Sequence, residues 1–232
     1  MAVNSEFHKE LITELKEKNV ILVAVSKTKT VEDILELYHL GQRDFGENYV
    51  QELVEKYEQL PKDIRWHFIG HLQSNKVKMI APFVSLIQSV DSGKLLKEIN
   101  KQARKNGRVI DCLLQVHIAK EETKFGLDEH ELEEIGEATN YTNNTNEDNE
   151  TYKNICIKGL MGMASFTDNN KVVRQEFSIL KSLFEKYQAL SLQPSAFSIL
   201  SMGMSGDYKM AIEEGSNMVR IGSLLFGKRN EK

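Results

Sequence analysis

The stretch "NVILVAVSKTK", residues 19–29, decides the fold. Val20, Ile21, Leu22, Val23, Ala24 and Val25 form a nearly unbroken aliphatic and β-branched run. Such a run suits a strand covered on both faces, as strands of a parallel sheet are. Side chains alternate along a strand, so Val23, Val25 and Lys27 share one face while Leu22, Ala24 and Ser26 share the other. If the first face points into a closed barrel, Lys27 stands at its mouth. The simpler alternative is a lysine whose ammonium merely reaches solvent at a strand end.

Outward from this strand the chain alternates. A helix over 5–18 precedes it, with Asn4 or Ser5 as cap. A second helix begins at Thr30 and stops at Gly41, where a left-handed turn residue is favoured. Further strands are expected at 43–48, 65–70, 84–90, 110–118, 155–163, 196–202 and 217–227. Between them lie a helix ended by Pro61, one started by Ser74, one over 92–105, one led by Asp128, a long amphipathic one from Asn170 and a short one near Tyr208. Eight strands that alternate with helices need crossover connections and so form a parallel sheet. The fold class is therefore α/β, a single (β/α)8 barrel domain over residues 1–232. A doubly wound open sheet is the competing architecture. It is disfavoured in its dinucleotide-binding form, because no G-x-G-x-x-G follows the first strand.

With 30 basic and 34 acidic residues the formal charge is −4, which argues against nucleic acid as a partner. No apolar run reaches the ~20 residues needed to span a bilayer. The N-terminus lacks a signal peptide's hydrophobic centre, so a cytoplasmic protein is expected. Cys112 and Cys156 both lie in apolar runs and read as core residues of a reducing compartment. Residues 139–154, "TNYTNNTNEDNETYKN", contain no aliphatic side chain and read as a loosely held surface insertion. It joins a helix to a strand, which puts it on the barrel face away from the chemistry.

Barrel chemistry gathers at the C-terminal ends of strands, and phosphates commonly bind after the seventh and eighth. "SMGMSGD" (201–207) and "RIGS" (220–223) sit there, combining hydroxyls, glycines and helix starts that offer backbone N–H groups. Arg220 shares a face with Met218 and Gly222, so it and Lys27 both reach the mouth. A lysine crowded by an arginine has its charged form disfavoured, the condition for a nucleophilic amine. A phosphate-bearing aldehyde satisfies both halves of such a site; pyridoxal 5'-phosphate (PLP) and a phosphosugar are the two candidates. His67 and His71 are four apart, but His67 falls in a strand, so a metal pair is not expected and His67 reads as a core residue. His71 and Gln73 can line the pocket. The methionines of "GLMGM" (159–163) read as packing.

"AVSKTK", "GQRDFGENYVQE", "WHFIGHLQSNK", "LSMGMSGD" and "MVRIGSLLFG" together resemble the pyridoxal phosphate homeostasis protein family, related in fold to the barrel domain of alanine racemase. The resemblance runs from Val20 to Gly227. It implies a PLP-binding barrel whose cofactor is held as a Schiff base on Lys27, with Lys29 as a secondary carrier. It further implies a phosphate cradle of Ser201, Ser205, Gly222 and Ser223, Arg220 facing the pyridine nitrogen, and Asn48 and His71 beside the cofactor. Where the family usually has a proline after "SKTK", this chain has Thr30, which touches the helix start and not the chemistry.

The function implied is PLP homeostasis and delivery to apo PLP-dependent enzymes, by a monomer with no membrane or nucleic-acid partner. A small racemase-like enzyme is the alternative. Moving a proton on both faces of an amino acid needs two bases. In the related racemase one comes from a second, β-rich domain, and none is expected after residue 227. Weak turnover is therefore expected.

Overall fold

The computed structural model describes residues 3–119, 125–138, 152–190 and 196–227. Its strands are β1 (Ile21–Val25), β2 (Asp44–Glu47), β3 (Arg65–Phe68), β4 (Leu86–Val90), β5 (Ile110–Val116), β6 (Ile155–Gly162), β7 (Ile199–Ser201) and β8 (Met218–Ile221). They pair in sequence order, all parallel, and β8 closes on β1. The helices are α1 (Ser5–Glu17), α2 (Val31–His39), α3 (Val50–Gln59), α4 (Val77–Ile80), α5 (Gly93–Lys105), α6 (Glu129–Ala138), α7 (Asn170–Leu190), α8 (Tyr208–Glu213) and α9 (Ser223–Phe226). The expected eight-stranded barrel is present, and the open-sheet alternative is excluded.

Local chemistry explains the helix boundaries. The Asn4 side chain accepts from Phe7 N–H at the start of α1. Thr30 and Asp33 form a reciprocal capping box on α2, so the residue that replaces proline starts the helix by another means. Asp128 and Glu131 exchange the same pair of bonds ahead of α6. Val173, Phe177, Leu180, Phe184 and Tyr187 of α7 recur every three or four residues and turn one buried stripe to the barrel. None of the described helices is long and apolar enough to cross a membrane.

Four expectations are corrected. Residues 223–226 are helical, because Gly222 ends β8 and starts a turn whose next four residues form α9. Ser74 caps nothing: residues 74–76 form a 3₁₀ turn that leads into α4, with no side-chain cap. Cys112 is wholly buried, yet Cys156 is only half-buried; both are free thiols. Of the proposed insertion, 139–151 lie outside the described residues, but its last three do not. Tyr152 packs against the core, and Asn154 bonds Asn100 and the Arg108 carbonyl. Its return point lies just before β6, at the N-terminal end of the barrel.

Two cores result. The larger lies between barrel and helices and holds Trp66, Phe68, Phe177 and Phe226. The smaller lies inside the barrel and consists of Val23, Leu86, Leu113, Met161 and Met218. A bulge opposite β5 lets β6 fit: the register slips between Cys112 and Leu113, and Gly159 takes φ +150° there. A Cβ at Gly159 would stand 1.8 Å from the Ile199 carbonyl oxygen, so no other residue fits.

Candidate functional site

The strands stop at one end of the barrel around a cavity of about 400 Å³, a size suited to a small cofactor. Its described lining includes Lys27, Lys29, Asn48, Ser205, Gly206, Arg220, Gly222 and Ser223, with Val25, Ile69, Met163 and Met204 as apolar walls. Among those lining residues are three cations and no carboxylate. In a chain of net charge −4, that local excess of positive charge selects an anion.

Lys27 lies in the turn after β1, half-buried. The turn is unusual, because Thr28 adopts φ +64°, a conformation costly for a β-branched residue. What holds it is a buried charge cluster outside the barrel. The Lys56 ammonium on α3 donates to the Ser26 carbonyl, to Glu47 Oε1 and to Glu52 Oε1, each at 2.7 Å. Glu47 Oε1 also accepts from the Ser26 hydroxyl at 2.6 Å, and Glu52 Oε1 accepts from Thr28 N–H at 2.5 Å. Both backbone neighbours of Lys27 are thus tied to α3. Burial pushes the Glu47 carboxyl up to about 7, against the pull of Lys56 and the Ser26 hydroxyl. Its second oxygen is buried without a hydrogen bond.

Lys29 also lines the cavity, but its ammonium donates to the Phe226 carbonyl at 2.8 Å and so fastens the end of α9. Asn48 follows β2, and its Oδ1 is buried with no hydrogen-bond partner in the protein. A buried orphan acceptor on a cavity wall fits a ligand that donates to it. Opposite, the turns after β7 and β8 meet: Gly222 N–H donates to the Ser205 hydroxyl at 3.3 Å. A Cβ on Gly206 would meet nothing within 4 Å, so this backbone stands open to the cavity. Gly222 lies against Val25, where a Cβ would be 3.2 Å from its carbonyl oxygen.

Arg220 points from β8 into the floor. One guanidinium nitrogen donates to the Ser201 hydroxyl at 2.7 Å and another to the Gly162 carbonyl at 3.0 Å. Burial pulls its pKa down to about 10, with Asp207 opposing.

The structure brings Lys27, Asn48, Ser205, Arg220, Gly222 and Ser223 to one cavity and leaves three expected residues out. Ser201 is fully buried beneath it, its hydroxyl engaged with Arg220 and Gln88. His71 lies outside: its Nδ1 bonds Asp91 at 2.9 Å, and its ring stacks on Phe125. With Gln73 it borders a separate, smaller hollow against α3. The loop after β3 turns outward at Gly70, which packs directly on the Asn48 backbone. His67 is a core residue, bonded to Asp44 and Gln88. Sequence reasoning missed the Glu47–Lys56 cluster and Gln88. The available signal was polar residues inside a buried strand, Gln88 and Ser89 in "LIQSV".

The family described as alanine racemase, N-terminal domain matches residues 9–230. A protein named pyridoxal phosphate homeostasis protein from Pasteurella multocida is 38% identical over 217 residues, 92% of this chain and 88% of its own. One of the same name from Aquifex aeolicus is 43% identical over 209 residues, 90% of this chain and 86% of its own. PipY of Synechococcus elongatus, solved without PLP, superposes with a TM-score of 0.85 at 32% identity, covering 96% of this chain and 99% of PipY. The same protein solved with PLP bound gives 0.79 at 32% identity, over 94% and 99%.

Proposed function

The chain belongs to the alanine racemase N-terminal domain family and to the pyridoxal phosphate homeostasis proteins within its reach, and from that premise we propose that it binds PLP and serves intracellular PLP homeostasis. The observation that carries this reading is one cavity lined by an amine, two hydroxyl-glycine turns and an arginine, with no carboxylate among the described lining residues. PLP supplies a phosphate, an aldehyde that condenses reversibly with a primary amine, and a pyridine ring that can draw electrons from such an adduct.

The residues divide by role. Lys27 presents the primary amine, on a turn immobilised from outside the barrel. Ser205, Gly206, Gly222 and Ser223 offer hydroxyls and backbone N–H groups to a phosphate. Arg220 would face the ring nitrogen; an arginine there only donates and carries a charge, so it would hold that nitrogen unprotonated. Asn48 would accept from a ring substituent through its unpartnered Oδ1. Ser201 acts on the site only by holding Arg220.

The protein is a single PLP-binding domain that stores and hands on cofactor in the cytoplasm, as a monomer, to apo PLP-dependent enzymes. It turns over amino acids poorly. A racemase needs a second acid–base group, and the described lining holds no tyrosine, histidine or cysteine; Lys29 is spent on α9. Titration with PLP followed by borohydride and peptide mapping tests the reading. The modified peptide should carry Lys27. An adduct on Lys29 or elsewhere would refute the assignment, and turnover of L-alanine at about 1 per second or faster would refute the non-enzymatic part.

A further inference from the structure

Five side chains cross the barrel interior in one hydrogen-bonded line. Arg220 donates to Ser201 Oγ at 2.7 Å; Ser201 donates to Gln88 Oε1 at 2.7 Å; Gln88 Nε2 meets His67 Nδ1 at 2.9 Å; His67 Nε2 meets Asp44 Oδ1 at 3.1 Å. Gln88 and Ser201 are fully buried, His67 and Arg220 nearly so. The line ends at the opposite barrel face, where Arg65 forks onto both Asp44 oxygens.

Its direction is fixed. Desolvation raises the Asp44 carboxyl, but hydrogen bonds from His67 and Arg65 and the Arg65 charge outweigh it and hold it at about 2. An ionised Asp44 only accepts, so His67 Nε2 carries the proton. Gln88 Nε2 can only donate and stands 2.9 Å from His67 Nδ1, so Nδ1 accepts from it. Gln88 Oε1 is left facing Ser201, whose hydroxyl must donate to it, so its lone pairs face Arg220. Reversing the Gln88 amide would set its oxygen against the bare Nδ1 and turn its N–H onto the Ser201 lone pairs that receive Arg220.

We infer that Gln88 is a positioning residue for Arg220: it orients the Ser201 hydroxyl so that its lone pairs receive the guanidinium and fix its direction at the cavity floor. The inference rests on the PLP reading for its consequence, but not for the direction of the line. Two buried side chains of one sheet layer, neither in contact with ligand, thereby set how a cofactor-facing cation is held.

The test uses the full chain with Gln88→Glu, which preserves shape, and Gln88→Met, which removes both bonds. Nitrogen-15 spectra of histidine-labelled apoprotein should show His67 protonated on Nε2 alone in the wild type and on both nitrogens in Gln88→Glu, where a carboxylate faces Nδ1. Gln88→Met should bind PLP about tenfold more weakly, the loss of one positioned hydrogen bond, with an altered absorption of the bound cofactor, while Gln88→Glu, whose carboxylate still accepts from the Ser201 hydroxyl, should bind PLP as the wild type does. Ser201→Ala should weaken PLP as much as Gln88→Met does while leaving the His67 spectrum unchanged. A wild-type His67 protonated on Nδ1, or a folded Gln88→Met that binds PLP with wild-type affinity and spectrum, overturns the inference. A wild type that takes up no PLP refutes the cofactor reading instead, and the histidine spectrum still decides the direction.

Discussion

Replacing Lys56 with Met removes the cation at the centre of the cluster behind Lys27 and leaves the volume nearly unchanged. Three acceptors lose a donor: the Ser26 carbonyl, Glu47 Oε1 and Glu52 Oε1. At pH 6 Glu47, with its carboxyl at about 7, is mostly neutral in the wild type, so the variant loses chiefly the bonds to Ser26 and Glu52. Each acceptor keeps a second donor (Lys29 N–H on the Ser26 carbonyl, the Ser26 hydroxyl on Glu47, Thr28 N–H on Glu52), so none is orphaned, and the loss of the charge-assisted bonds costs about 2 kcal/mol. Above pH 7 the comparison changes. The wild-type native state has released the Glu47 proton; without Lys56 that carboxyl rises further, and the variant's native state keeps it. The unfolded chain, with an ordinary glutamate, has released it in both. A native state that holds a proton the unfolded state lacks loses stability as pH rises, by about 1.4 kcal/mol per unit. The deficit should therefore grow to about 4 kcal/mol at pH 8.5. Urea unfolding of both proteins at pH 6, 7 and 8.5 measures it. Equal deficits at all three would refute the idea that Lys56 restrains a carboxyl strained by burial. PLP should also bind the variant more weakly, since the turn carrying Lys27 loses its tether.

Lys27→Ala should abolish the borohydride-fixed adduct with little change in melting temperature, because the side chain is half-buried at the cavity edge; persistence of the adduct would move the amine elsewhere. Asp44→Asn should cost about 2 kcal/mol at neutral pH. Its carboxyl is depressed to about 2, so its contribution exists above the ordinary carboxylate range and disappears as pH falls through 2. Acid titration of stability should show the variant's deficit shrinking in that window. Gly159→Ala forces a Cβ into the Ile199 carbonyl and should cost more than about 3 kcal/mol or prevent folding, as read by circular dichroism and melting.

The barrel was legible because its cause is local. Each strand is an apolar run, each helix a periodic stripe, and the alternation allows few sheets. The residues of the site were legible too, since Lys27, Ser205 and Gly222 follow strands whose ends must meet and Arg220 lies within the last of those strands. What failed is nonlocal. His71 was assigned to the cavity from its place after β3, but the path of the loop depends on Gly70 packing against Asn48, 22 residues earlier in the chain. Ser201 was assigned to the cradle from the family resemblance and its place in "SMGMSGD", which give the end of a strand but not the depth at which the ligand stops. The α9 helix was read into β8 because "SLLF" is as apolar as a strand, and only the turn at Gly222 distinguishes them.

The two chemical ends of the cavity are held in opposite ways, and that contrast explains why so many buried polar groups occur in so small a barrel. Lys27 is held from outside, through Ser26 and Thr28 to charges on β2 and α3. Arg220 is held from inside, through Ser201 and Gln88 to His67. The two supports share no residue, yet both begin on β2, where Asp44 serves the interior line and Glu47 the exterior cluster. Strand alternation requires this, because residues three apart on a strand point to opposite faces. β2 can therefore brace both ends of the cavity only because its two carboxylates are an odd number of residues apart. An apolar barrel interior would pack as well and fold more readily, since every buried polar group costs free energy unless it is paired. The polar line instead gives Arg220 one permitted orientation, and the charge cluster gives the strained turn at Thr28 one permitted conformation. Each exchanges some stability for the placement of a single cation at the mouth.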